Sequence, residues 1–144
     1  MIKVISKFAF LTLIVVILYL ILSGNLLSTS PFVIAGQLLA IVVTIWARRS
    51  FKNGQFSIHA HPVKRPLLLI GPYQYIRHPM YAAALLFVWS SILGHLSIIN
   101  IFIGLCLTSV IVIRIIVEEQ FLRERYPNYN EYSFKTKRII PFII

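Results

Sequence analysis

Apolar residues collect along this chain in four long blocks, each of roughly the 20-residue length that lets a helix cross a bilayer core of about 30 Å. The blocks cover residues 4–22, 31–47, 79–94 and 96–117, with the third starting at Pro79 or Met80. The second is closed by Arg48 and Arg49, and both it and the third are short for a full span. This pattern predicts an all-α integral membrane protein with about four transmembrane helices. A cytoplasmic loop would join the second helix to the third, and a helical cytoplasmic tail would follow the fourth. The whole of 1–144 forms a single membrane domain, opened by an N-terminal hairpin over 1–47.

Composition agrees with that picture, since 58% of the residues are hydrophobic and only 12% are charged, outside the range of an ordinary soluble domain. The first block has the basic start and apolar middle of a signal peptide. No small-x-small cleavage site follows it, and SGNLLSTS leads directly into another apolar run, so it is expected to be retained.

A net charge of +10 raises the question of nucleic acid, and its placement answers it. The turns at 23–30 and 94–97 carry no lysine or arginine. All fourteen basic residues lie at 3–7, 48–77 or 114–138. The positive-inside rule then sets both termini and the long loop of this multi-pass protein in the cytoplasm. Attraction to anionic lipid heads accounts for the charge, and no nucleic-acid partner is expected. Cys106, the single cysteine, falls inside the fourth helix, which leaves neither a disulfide nor a cysteine-based zinc site.

Polar chemistry is thereby confined to one side. The loop at 48–78, about thirty residues long, is broken by Pro62, Pro66 and Pro72, and its apolar content favours order. Beyond Glu118 the fourth helix is expected to continue to about Arg125, break at Tyr126-Pro127 and resume over 128–134. Tyr126, Tyr129, Tyr132 and Phe134 alternate there with charges, as in a segment resting at headgroup level.

Within GPYQYIRHPMY, residues 71–81, Arg77 and His78 stand at the mouth of an apolar helix opened by Pro79. Spacing alone allows a plain explanation, a proline at the first helical position with basic residues flanking a span. Two details point further. Histidine is a weak topology signal, and Tyr73, Tyr75 and Tyr81 crowd the same stretch. Backbone N–H groups at the start of the helix could also help hold an anionic group such as a carboxylate.

Arg114 is an ionisable side chain inside a span, which makes it a functional candidate, although it could also snorkel to the nearby helix end. Glu118 shares its face at i+4, about 6 Å further along the axis, whereas Glu119 is rotated by roughly a hundred degrees. All four acidic residues lie at 118–131, so carboxylates at the membrane boundary suit a cationic or hydroxyl-rich ligand. His59 and His61 lack a third ligand and are assigned to loop structure, with no metal expected. No GxGxxG or Walker loop is present.

Taken together, GPYQYIRHPMY, Glu118-Glu119, YPNYNEY and IIPF resemble, in that order, the isoprenylcysteine carboxyl methyltransferase family and its bacterial relatives. The likeness covers about residues 64–144. It implies S-adenosylmethionine held without a Rossmann domain, in a cytoplasm-facing pocket over the ends of membrane helices, so that 48–144 is the cofactor-binding catalytic core. By resemblance, Tyr73, His78, Pro79, Met80 and Tyr81 line that pocket, Arg65, Pro66, Leu67 and Leu68 pass beside the cofactor, and Glu118 closes it. Arg114 matches a position associated with the substrate.

Three features depart from the family pattern. This chain has fewer helices than eukaryotic members, it lacks a clear counterpart of their upstream glutamine near 56–61, and Tyr126-Pro127 replaces the usual Phe-Gly. The implied activity is methyl transfer to a lipophilic small-molecule or lipidated acceptor, by carboxyl or other O-methylation. Two alternatives remain: N-methylation of a phospholipid headgroup, and a non-catalytic protein that binds anionic lipid or a partner helix.

Overall fold

The computed structural model describes residues 2–51 and 68–140. Among them the chain forms five helices and no strand: α1 (Ile2–Leu22), α2 (Pro31–Arg49), α3 (Pro79–Gly94), α4 (Ile98–Arg125) and α5 (Tyr129–Lys135). A short 3-10 turn, Gly71–Gln74, precedes α3. The expected all-α architecture is present, and α1, α2 and α4 are long and apolar enough to cross a membrane. At 16 residues α3 is shorter, about 24 Å against a core of about 30 Å.

Large apolar side chains such as Leu18, Phe32, Leu38 and Phe102 point outward, which suits a surface solvated by lipid chains. Inside, Leu20, Val88, Ile92, Leu107, Ile111 and Ile115 form a core where α1, α3 and α4 meet. Helix α2 packs on α3, and their approach is set by Gly36, where any Cβ would collide with Ser90 Oγ.

Polar groups tie the helices at the end that bears the two short turns. Gln37 Nε2 donates to Leu26 O at 2.6 Å and to Ser91 Oγ at 3.0 Å. The Tyr19 hydroxyl donates to Asn100 Oδ1 at 3.1 Å, and Asn100 Nδ2 donates to His95 O at 2.6 Å. Ser97 Oγ caps α4 by accepting from Asn100 N at 3.1 Å. A buried polar group that faces hydrocarbon must be paired within the protein. Asn100→Ala removes both side-chain bonds and is expected to cost about 1 kcal/mol per bond, measured as a lower melting temperature of the detergent-solubilised protein.

At the opposite end α4 runs past its apolar stretch and stops at Tyr126, ahead of Pro127. The tail then doubles back through α5, so that Lys137 lies parallel to Ile76. Three backbone bonds fasten it: Arg77 N to Lys137 O at 2.7 Å, His78 N to Arg138 O at 3.0 Å and Lys137 N to Tyr75 O at 3.1 Å. The segment leading into α3 is thus held between α4 and the tail.

Candidate active site

Gly71 starts the turn that leads into the site. Its φ of +62° is one that a side chain disfavours, and a Cβ there would strike Ser50 Oγ at the end of α2. The 3-10 turn that follows carries Tyr73, whose ring meets Phe51 edge-on at 5.6 Å and whose carbonyl accepts from the Tyr132 hydroxyl at 2.7 Å. Burial first, and the Glu118 charge second, hold the Tyr73 hydroxyl above its ordinary range. Burial likewise pushes Tyr132 up to about 12. Both remain neutral donors near pH 7.

Arg77 and Glu119 are the anchor beneath this turn. Their side chains are only 8% and 3% exposed, and Arg77 Nε lies 2.8 Å from Glu119 Oε1. Arg77 Nη1 also donates to Ser133 O at 2.8 Å and to Thr136 O. On the other oxygen, Glu119 Oε2 receives Arg138 Nε at 3.1 Å, with Arg123 Nη2 at 3.8 Å. His78 Nε2 approaches Oε1 at 3.4 Å, at the long limit for a hydrogen bond. One carboxylate therefore joins α4, the mouth of α3 and the tail, and such a buried cation persists only because it is paired.

Beside that anchor lies a cavity of about 290 Å³. Helix α1 supplies Ala9, Phe10 and Leu13, and Phe51 follows from the end of α2. The α3 side gives Tyr73, Arg77, His78, Pro79, Met80, Tyr81 and Ala84, while α4 gives Ile111, Arg114 and Glu118. Tyr81 lies at its centre: its ring stacks on His78 at 5.3 Å and 12°, its hydroxyl donates to Glu118 Oε2 at 2.6 Å, and the Arg114 guanidinium sits 4.9 Å over its face. Arg114 Nη1 further donates to Ser6 O at 3.3 Å, linking α4 to α1.

The structure thus brings Tyr73, His78, Pro79, Met80, Tyr81, Arg114 and Glu118 to one cavity. Leu68 is half-buried and is not among the lining residues. Arg65, Pro66 and Leu67, like His59 and His61, lie outside the described residues. Among the described residues no group of histidines, cysteines and carboxylates is placed to hold a metal ion.

One expectation about the tail is corrected. Tyr129 is buried at 1% exposure and packs edge-on against Tyr132, so these tyrosines face inward, and only Phe134 is broadly exposed. Glu119 points away from Arg114 and Glu118 as its position on the helix implies, and that rotation delivers it to Arg77.

Chemically, the cavity offers one carboxylate, two guanidiniums, of which Arg77's is engaged by Glu119 and the tail, one imidazole, two phenols and an apolar wall. That donor set fits a small zwitterion with hydroxyls and a flat ring: an ammonium or hydroxyls on Glu118, a carboxylate on His78, and a ring against Tyr73 and Phe51, with Arg114 left for a second anionic group.

In comparisons with known proteins, a family model described as phospholipid methyltransferase matches residues 28–129, from the turn before α2 to the start of α5. No curated protein and no solved structure matches the chain.

Proposed function

The chain belongs to the phospholipid methyltransferase family, which is of the isoprenylcysteine carboxyl methyltransferase type of integral membrane methyltransferases. On that footing we propose that it transfers a methyl group from S-adenosylmethionine to a lipophilic acceptor that reaches the cavity from the bilayer. The observation that carries this proposal is the meeting of Glu118, Arg114 and His78 around Tyr81 in a single cavity. The cofactor would supply an electrophilic methyl carbon, whose bond to sulfur breaks with both electrons going to sulfur as the acceptor's lone pair bonds to it.

The protein's own residues hold and align. Glu118 Oε2 is engaged by Tyr81, which orients the carboxylate so that Oε1 can take an ammonium or a ribose hydroxyl. His78, gripped between Tyr81 and Glu119, presents its ring at the start of α3, and Tyr73 and Phe51 form an aromatic wall. Phe10 lines the cavity yet is 42% exposed, which makes the α1 side the route for an apolar acceptor. Arg114 attracts an anionic acceptor head and sets its distance from the methyl group. An acceptor that is already anionic needs no proton removed, so alignment and exclusion of water supply most of the rate. Carboxyl or other O-methylation, at a cavity on the cytoplasmic side, is the reaction we infer for such an acceptor.

The family description favours a second acceptor, the amine of a phospholipid headgroup. Arg114 would then hold the phosphate, and Glu118 is the carboxylate in reach to take the amine's proton. Membranes carrying the protein, incubated with methyl-labelled cofactor and extracted, separate the two. An alkali-labile label is the expected methyl-ester product, an alkali-stable label outside the aminophospholipids is another O-methyl product, an alkali-stable label in aminophospholipid assigns the second acceptor, and no label in lipid or membrane protein contradicts both.

A further inference from the structure

A second cavity, of about 610 Å³, lies across α3 from the first. Its walls are Leu39, Val43 and Trp46 on α2, and Ala82, Leu86 and Trp89 on α3. Pro72, Tyr75 and Ile76 roof it, together with Ile139 and Ile140 of the tail. Its shape is built in. At Gly36 and Gln37 the two helices touch through Ser90 and Ser91, which closes one end, and small alanines on α3 keep the space open beyond.

We infer that this slot binds one acyl chain of an anionic phospholipid, with the phosphate among the basic residues at its roofed end. Leu39, Trp46 and Tyr75 line it and are each about half exposed, so it opens sideways to where lipid chains lie. From Leu39 to Trp46 the slot runs about 10 Å along α2, a length over which a hydrocarbon chain can lie against the helix. The roofed end is basic: exposed Arg49 stands one turn beyond Trp46, and exposed Lys137 lies two residues before Ile139, beside Arg138, whose Nε is held by Glu119. None of the four carboxylates lines the slot, so an anionic headgroup is favoured there. The slot also shares a wall with the first cavity, because Pro72, Tyr75 and Ile76 face one side while Tyr73, Arg77 and His78 face the other. A chain seated in it braces the segment that carries Tyr73 and His78, whatever reaction those residues serve.

The chain's two tryptophans, Trp46 and Trp89, both line the slot, which provides a native probe. Full-length protein in detergent is titrated with phosphatidylglycerol brominated on its acyl chains, and with phosphatidylcholine carrying the same chains. Quenching by the anionic lipid should saturate near one lipid per protein. It should weaken about fivefold in Lys137→Gln, as loss of one interfacial charge implies, and disappear in Ala82→Phe and Val43→Phe, which fill the slot from opposite helices. Both filled variants are checked by circular dichroism, and the folded one decides. Quenching that rises without saturation, that is equal for the two lipids, or that survives in a folded filled variant overturns the inference.

Discussion

Glu119→Ala is expected to destabilise the protein by about 3–5 kcal/mol, because it strands the buried Arg77 guanidinium without its counter-charge. Arg138 and Arg123, with side chains 44% and 50% exposed, can turn to solvent when the carboxylate goes. Arg77 cannot, since its other bonds run to backbone carbonyls of the tail. In detergent the melting temperature should fall by about 10 °C. The double change Arg77→Met with Glu119→Met removes both charges and should recover more than half of that loss. A single variant that melts with the parent would show that this pair does not hold the tail against α3.

The second large effect concerns Arg114. If its guanidinium seats an anionic acceptor head, Arg114→Met removes a charge-assisted bond worth about 1.5–3 kcal/mol, a fall of about 10–100-fold in kcat/KM for the acceptor. Arg114→Lys should fall between, since an ammonium keeps the charge and loses the planar fork. Affinity for S-adenosylmethionine should stay close to the parent's. A variant that loses cofactor binding and leaves the acceptor's KM unchanged would move Arg114 from the acceptor to the cofactor.

Much of the helical layout was legible because hydrocarbon imposes long apolar runs and proline marks their edges. Pro31 and Pro79 open α2 and α3, and the break at Tyr126-Pro127 closes α4. The ends differed by a turn or less: α2 extends through Arg49, and α4 begins at Ile98. A single turn of helix costs little to add where the flanking residues can reach water.

The cavity was only half legible. The residues from Tyr73 to Tyr81, with Arg114 and Glu118, stood out through ionisable or aromatic groups at a membrane boundary and through a family resemblance. Ala9, Phe10 and Leu13 did not, because a helix residue that lines a cavity has the same composition as one that faces lipid. The Arg77–Glu119 pair joins positions 42 apart, and no local period encodes so distant a partner. The only hint was that Glu119, adjacent to Glu118, had to face a different neighbour.

The most direct test is calorimetric titration of S-adenosylmethionine into the purified protein and into Glu118→Gln, which keeps the shape of the side chain and removes its charge. The parent should bind one cofactor per chain, and the variant about tenfold or more weakly, as loss of a charge-assisted bond in a partly buried site implies. Absence of binding by the parent, or equal binding by the folded variant, would contradict the assignment of this cavity to the cofactor.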